Sequence, residues 1–296
     1  MSLKGTIDGI GDLRRNMKHW YMVPLFKYGI VKRATFTTKR GVSAEIKDKQ
    51  DYYNFFSGRL WGLQKLEPIS DRVTVTDNMI VLDGKIKFAY HSEAALGASL
   101  LMLGEVYGGE YDGLDVKGKT VIDVGANIAD SAIYFALMGA KEVIAFEPFP
   151  ATYRQAKENI ELNGMSDRIR LFNAGIGGKS EIIRLPDVFI GTSGMDSIEK
   201  SAMDRNEHAG IEVRVFTLGD IAARYTDMDM VIKMDCEGCE YASILGASDD
   251  TLRHFSEFIL EYHGNHTKLI ERFRKAGFEP TLRLKAGRIL FAKRIQ

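Results

Sequence analysis

Two groups of acidic residues stand where they could do chemistry. Asp123 and Glu147 close two short apolar runs, and a turn through Gly125, Ala126 and Asn127 follows the first of them. Much later, Asp235, Glu237 and Glu240 follow the run Met230 to Met234, and His263 follows Phe258 to Glu261. A carboxylate with two oxygens can accept from a pair of hydroxyls. A histidine near neutral pKa can take a proton or orient the group that does. The first pair therefore reads as a binding pair. The second group reads as catalytic, with His263 as base or orienter, Asp235 holding a ligand or the acceptor and Glu237 a further candidate beside it, although Glu237 and Glu240 would also suit the N-terminus of the helix that follows.

Unbroken apolar runs such as Thr120 to Asp123 and Glu142 to Phe146 form strands buried on both faces. Between them Ile128, Ala132, Ile133, Phe135, Ala136 and Leu137 recur at helical spacing, and Gly139 sits where such a helix stops. Strand, glycine turn, helix and strand, with an acid 22 positions after Gly125, is the spacing of a nucleoside-binding doubly wound fold. A dinucleotide fingerprint needs a second glycine, and Asn127 occupies that place. A carboxylate at Asp123 would repel a pyrophosphate and favour the ammonium and sulfonium of S-adenosylmethionine. The expected cofactor is therefore S-adenosylmethionine, bound by Asp123, Gly125, Ala126, Asn127, Ser131, Glu147 and Pro148, with Glu147 on the ribose hydroxyls.

The stretch DVGANIADSAIYFA, then EVIAFEP, and later VIKMDCEGCEY resembles the FkbM family of class I S-adenosylmethionine-dependent methyltransferases over about Glu105 to Ile295. Ala129 departs from the family's usual glycine, and Cys236 and Cys239 replace small apolar residues. The resemblance implies a polar residue after the third strand that meets the adenine amino group, here Asn173 beside Ala174, and a second role for Asp235 at the cofactor's methionine end. It also implies an oxygen acceptor, because the family's better-known members methylate hydroxyls of polyketides and sugars. Nitrogen remains open at this stage.

The rest of the chain supplies the frame. Balanced charge, with Lys+Arg and Asp+Glu at 40 each, gives no support to a global polyanion-binding role. The stretch Met1 to Lys49 is the exception, with eleven basic and four acidic side chains. An amphipathic segment within Gly11 to Tyr28, a hairpin around Lys39-Arg40-Gly41 and an apolar helical face from Tyr52 to Leu63 come first. A meander over Arg72 to His91 and a helix over Ala94 to Leu103 follow. A long polar gap, Pro186 to Gly210, reads as a loop facing the substrate.

Cys236 and Cys239 with His263 and His266 could converge on zinc, and Asp235 with Glu237 on magnesium, but the spacings fit neither well and no metal is expected. Two cysteines make no disulfide framework, so thiols in a reduced, cytoplasmic setting are expected, with no membrane span.

The sequence thus predicts an α/β fold, a seven-stranded mixed Rossmann-like sheet of the class I methyltransferase type over 92–296, behind a smaller α+β appendage over 1–91 that could cap the substrate. The expected reaction is O-methylation of a small molecule or sugar, with no nucleic acid partner and the oligomeric state open. The alternative is a non-catalytic module that binds RNA or a protein through the basic N-terminal arm.

Overall fold

The computed structural model describes residues 13–14, 17–37, 39, 43–48, 66–187, 210–226, 229–283 and 288–295. The helical face expected over Tyr52 to Leu63 and the body of the loop Pro186 to Gly210 lie outside these residues. The described residues fall into two units, one up to Asp71 together with His91–Glu105, the other Arg72–Tyr90 together with Val106 onward.

In the first unit a short helix, Met22–Lys27 (α1), precedes a hairpin of Ala34–Thr37 (β1) and Ser43–Ile46 (β2). The alternation in β1 buries Ala34 and Phe36, which join Met17, Val23, Phe26 and Ile46 in a small core. A 3-10 turn over Glu67–Arg72 runs to the edge of this unit, and a helix Glu93–Val106 (α2) returns to it. The α2 sequence is apolar nearly all round, and Leu96, Leu100 and Leu103 are all buried.

The second unit opens with an antiparallel meander, Val73–Val75 (β3), Met79–Leu82 (β4) and Ile86–Ala89 (β5). Asp83 and Gly84 both take positive φ in the three-residue turn that joins Leu82 to Ile86. The expected boundary near residue 91 is not where the two units part, because the meander goes with the large body. The reason is local: Asn159 accepts from the Ala89 N–H at 2.8 Å, Gln155 donates to the Ala89 carbonyl at 2.8 Å, and Asn163 pairs both backbone groups of Lys87 at 2.9 and 2.7 Å.

The central sheet is built from Thr120–Val124 (β6), Glu142–Phe146 (β7) and Ile169–Phe172 (β8), with helices Asp130–Leu137 (α3) and Pro150–Leu162 (α4) between them. Next come Ala174–Ile176 (β9), Glu181–Leu185 (β10) and Ile211–Phe216 (β11), which form a separate three-stranded sheet, and the helix Leu218–Arg224 (α5). The sheet then resumes with Met230–Met234 (β12), helices Cys239–Gly246 (α6) and Asp249–Arg253 (α7), Phe255–Glu261 (β13), the helix Thr267–Lys275 (α8), Phe278–Arg283 (β14) and Ile289–Arg294 (β15).

Its seven strands lie in the order β14-β15-β13-β12-β6-β7-β8. From β13 to β8 they run parallel, and β15 runs against both its neighbours. β6 and β12 are buried throughout, as their unbroken apolar runs predict. The strand order reverses between β6 and β12, and ligands of open α/β sheets bind beyond the carboxyl ends at such a switch point. Both acidic groups sit there.

Candidate active site

The cofactor turn is shaped by backbone. Gly125 has φ +76°, and a Cβ there would lie 1.9 Å from the Asp235 carbonyl oxygen, so only glycine fits. The N–H groups of Gly125 and Ala126 both reach the Phe146 carbonyl, each at 3.0 Å. Asn127 and Ala129 continue the turn at φ +46° and +66°. Ser131 lies buried in the first turn of α3.

Glu147 follows β7 and is only 4% exposed. One of its oxygens takes the Asn127 N–H at 3.0 Å and the other takes the Phe149 N–H at 2.9 Å, so each keeps a lone pair for a ribose hydroxyl. Burial outweighs these bonds and pushes its pKa up to about 8. Asn173 donates to the carbonyls of Glu147 and Pro148, each at 2.9 Å, which turns its amide toward the same edge. Its neighbour Ala174 is buried at the start of β9. Two donor-bonded carboxylate oxygens beside a glycine cradle fit an adenosine with free ribose hydroxyls.

Asp123 stands differently from the sequence expectation. β6 continues through Val124, so Asp123 lies within the strand and is fully buried. Lys233, its register partner on β12, reaches Asp123 Oδ1 at 3.1 Å, and Ser131 donates to Oδ2 at 2.7 Å. Lys233 also donates to the Gly125 carbonyl at 2.8 Å and lies 5.4 Å from the centre of the Tyr111 ring. Burial opposes its charge, but the carboxylates of Asp123, Asp235 and Asp130 hold its pKa above the ordinary value. The carboxylate expected to hold a ligand's ammonium is thus already held by an ammonium of this chain. Exclusion of a pyrophosphate falls instead to Asn127, whose side chain stands where a dinucleotide turn has the glycine that lets backbone approach.

The second group forms at the ends of β12 and β13, whose parallel register sets Met234 beside Leu260. Asp235 accepts from the Tyr111 hydroxyl at 3.0 Å. Glu240 is fully buried at the start of α6 and accepts from the Gly238 N–H, the His263 N–H and His263 Nδ1 at 2.9, 2.9 and 3.1 Å. His263 Nε2 faces Glu237 Oε2 at 3.2 Å. Burial disfavours the charged ring, but the bond to Glu240 and the charges of Glu237, Glu240 and Glu261 carry its pKa up to about 9. Burial likewise works against ionised Glu240, and His263 more than offsets it, holding that carboxyl below its ordinary value. Both ring nitrogens therefore face carboxylates, an arrangement that suits an orienter better than a base.

Cys236 and Cys239 are joined by a disulfide, with Cα atoms 5.5 Å apart, where the sequence reading expected thiols. The turn through Glu237 and Gly238, both at positive φ, folds the two cysteines together and removes the sulfurs as zinc ligands. Lys233 and Asp130 are the polar residues that sequence reasoning passed over. Lys233 was visible as a lone cation inside an apolar run. Asp130, in the first turn of α3, is buried, and that burial pushes its carboxyl up to about 7.

This sheet order, with a glycine turn and an acid after the second strand, defines a class I methyltransferase, and S-adenosylmethionine is its cofactor. The sequence profile described as the methyltransferase FkbM domain matches residues 123–280, more than half of the chain, and the chain belongs to that family.

Among curated relatives, the ribosomal protein L11 methyltransferases of Salmonella newport and Salmonella heidelberg are each 32% identical over 117 residues, 40% of this chain and 36% of theirs. The chain thus matches about a third of their length. A solved structure of a putative tRNA methyltransferase of Streptococcus pneumoniae with S-adenosyl-L-methionine is 19% identical, covering 66% of this chain and 73% of that one at a TM-score of 0.39. A ribosomal protein L11 methylase of Lactobacillus delbrueckii is 18% identical, covering 71% and 82% at 0.37.

These names overturn one expectation. The curated relatives are named for a ribosomal protein as substrate, so the small-molecule or sugar acceptor, with its exclusion of nucleic acid, is not carried forward. No helix among the described residues is long and apolar enough to cross a membrane.

Proposed function

We propose that the chain transfers the methyl group of S-adenosylmethionine to a proton-bearing heteroatom, a hydroxyl oxygen in first place, on a polypeptide. The observation that carries this reading is the approach of Gly125 to the Asp235 carbonyl, which ties the cofactor turn to the acidic edge. Methyl transfer from a sulfonium needs alignment and exclusion of water more than strong chemistry. Tyr111 holds Asp235 in place, His263 positions Glu237, and Glu237, with its side chain 40% exposed, meets the acceptor.

Oxygen follows the resemblance to hydroxyl-methylating members of the family. A polypeptide is favoured by the relatives' named protein substrate.

The test has two parts. Calorimetric titration is expected to give binding of S-adenosylhomocysteine and none of NADH; the opposite result overturns the cofactor reading. Tritiated methyl groups from S-adenosylmethionine, offered with a fractionated extract, are expected in protease-sensitive material and in base-stable ethers on hydrolysis. Label that ribonuclease releases overturns the polypeptide acceptor, and label in methylated amines overturns the choice of oxygen.

A further inference from the structure

Building on that reading of the acidic edge, we infer that Asp235, Glu237 and His263 form a binding site for one divalent cation of the Mn2+ class, with positions left open toward the acceptor. One ligand atom from each of the three lies within 4.8 Å of the others. Two carboxylates and an imidazole are a hard-to-borderline set, which suits Mn2+ and its neighbours over Ca2+, an ion that prefers a cage of oxygens. The disulfide between Cys236 and Cys239 takes both sulfurs out of competition, so the ligands are oxygen and nitrogen alone.

A metal-binding histidine usually has its other ring nitrogen held by a carboxylate or carbonyl, and bound carboxylates are themselves hydrogen-bonded. His263 meets that condition through Glu240, which lies on α6, outside the three ligands, and holds Nδ1 at 3.1 Å while Nε2 is turned toward Glu237. Asp235 meets it through the Tyr111 hydroxyl at 3.0 Å, which arrives from the segment before β6. Two supports from two distant parts of the chain thus orient two of the three ligands. Three protein ligands leave coordination positions for the acceptor, and a cation there would lower the pKa of a hydroxyl bound to it. Neither Asp235 with Glu237 alone nor the cysteines with His263 and His266 make this set; its third ligand, His263, comes from the end of the neighbouring strand.

Mn2+ is the probe. The full chain is titrated with Mn2+ while the signal of the free ion is followed by electron paramagnetic resonance, and S-adenosylhomocysteine affinity is measured on the same samples. One Mn2+ per chain is expected. Glu237→Gln should weaken binding about tenfold or more, Tyr111→Phe should weaken it by a factor of about 10, and Glu161→Gln, an exposed control on α4, should leave it unchanged. No stoichiometric binding overturns the inference, as does equal affinity in the wild type and Glu237→Gln, which would make the ion adventitious. Bound S-adenosylhomocysteine without bound Mn2+ overturns the cation site and spares the methyltransferase reading. Bound Mn2+ without S-adenosylhomocysteine does the reverse.

Discussion

Lys233 and Asp123 stand opposite each other on adjacent parallel strands, Nζ 3.1 Å from Oδ1, with side chains only 3% and 0% exposed. Breaking a buried pair from one side leaves a charge without compensation, which costs about 3–5 kcal/mol. Lys233→Met is expected to lose stability on that scale in urea unfolding. The double variant Lys233→Met with Asp123→Leu should recover much of it, because removing both charges is close to neutral. If Lys233→Met costs less than about 1 kcal/mol, the pair is not what holds β6 to β12.

Gly125→Ala tests the cofactor turn. The added methyl would meet the Asp235 carbonyl at 1.9 Å, and φ +76° alone costs a side-chain-bearing residue about 1–3 kcal/mol. Thermal unfolding should show a marked loss of stability, and any folded fraction should have lost affinity for S-adenosylhomocysteine. Wild-type affinity and melting in this variant would mean that the turn and the acidic edge are not packed together.

The pH dependence of stability follows from two buried carboxyls. Folding raises the pKa of Glu147 from 4.5 to about 8 and that of Asp130 from 3.8 to about 7, mainly by burial. Because both folded values exceed the unfolded ones, the native state holds these protons more tightly. The linked stability is complete below about pH 4 and drains away as the pH climbs through 7 and 8. Glu147→Gln removes its share, so unfolding between pH 5 and pH 9 should shift in the variant's favour by up to about 5 kcal/mol. Parallel curves for the two proteins would count against a buried, proton-holding Glu147.

Thiol titration of the unfolded chain without reductant should find no free cysteine, and two after reduction. So short a closed loop contributes at most about 2 kcal/mol. Replacing both cysteines by serine should therefore lower the melting temperature modestly while keeping the fold. Two reactive thiols in the unreduced chain would contradict the pairing.

Much of this architecture was legible because each signal was local. The runs at Val121, Val143 and Val231 announced strands buried on both faces, Gly125 announced the turn, and the strand order usual for the resembled fold set His263 beside Asp235. What escaped depends on distant register or on backbone detail. That Asp123 is neutralised cannot be read from its neighbours, since Lys233 lies 110 positions away and meets it only through parallel pairing. The engagement of both His263 nitrogens needs Glu240 to turn inward from α6. The disulfide needs the left-handed Glu237 and Gly238. β9 is three residues of Ala-Gly-Ile, too short and too small for periodicity to mark.

The amides of Gln155, Asn159 and Asn163 act toward β5 as a neighbouring strand would, meeting its backbone groups one by one. A shortened chain beginning at residue 92, where sequence alone would cut, removes those partners and leaves the fully buried Asn159 with no acceptor duty at its Oδ1. Each such orphaned group costs about 1–3 kcal/mol. The smallest fragment able to fold as the catalytic body therefore includes the meander from Arg72 to Tyr90, although every residue proposed for catalysis lies after it.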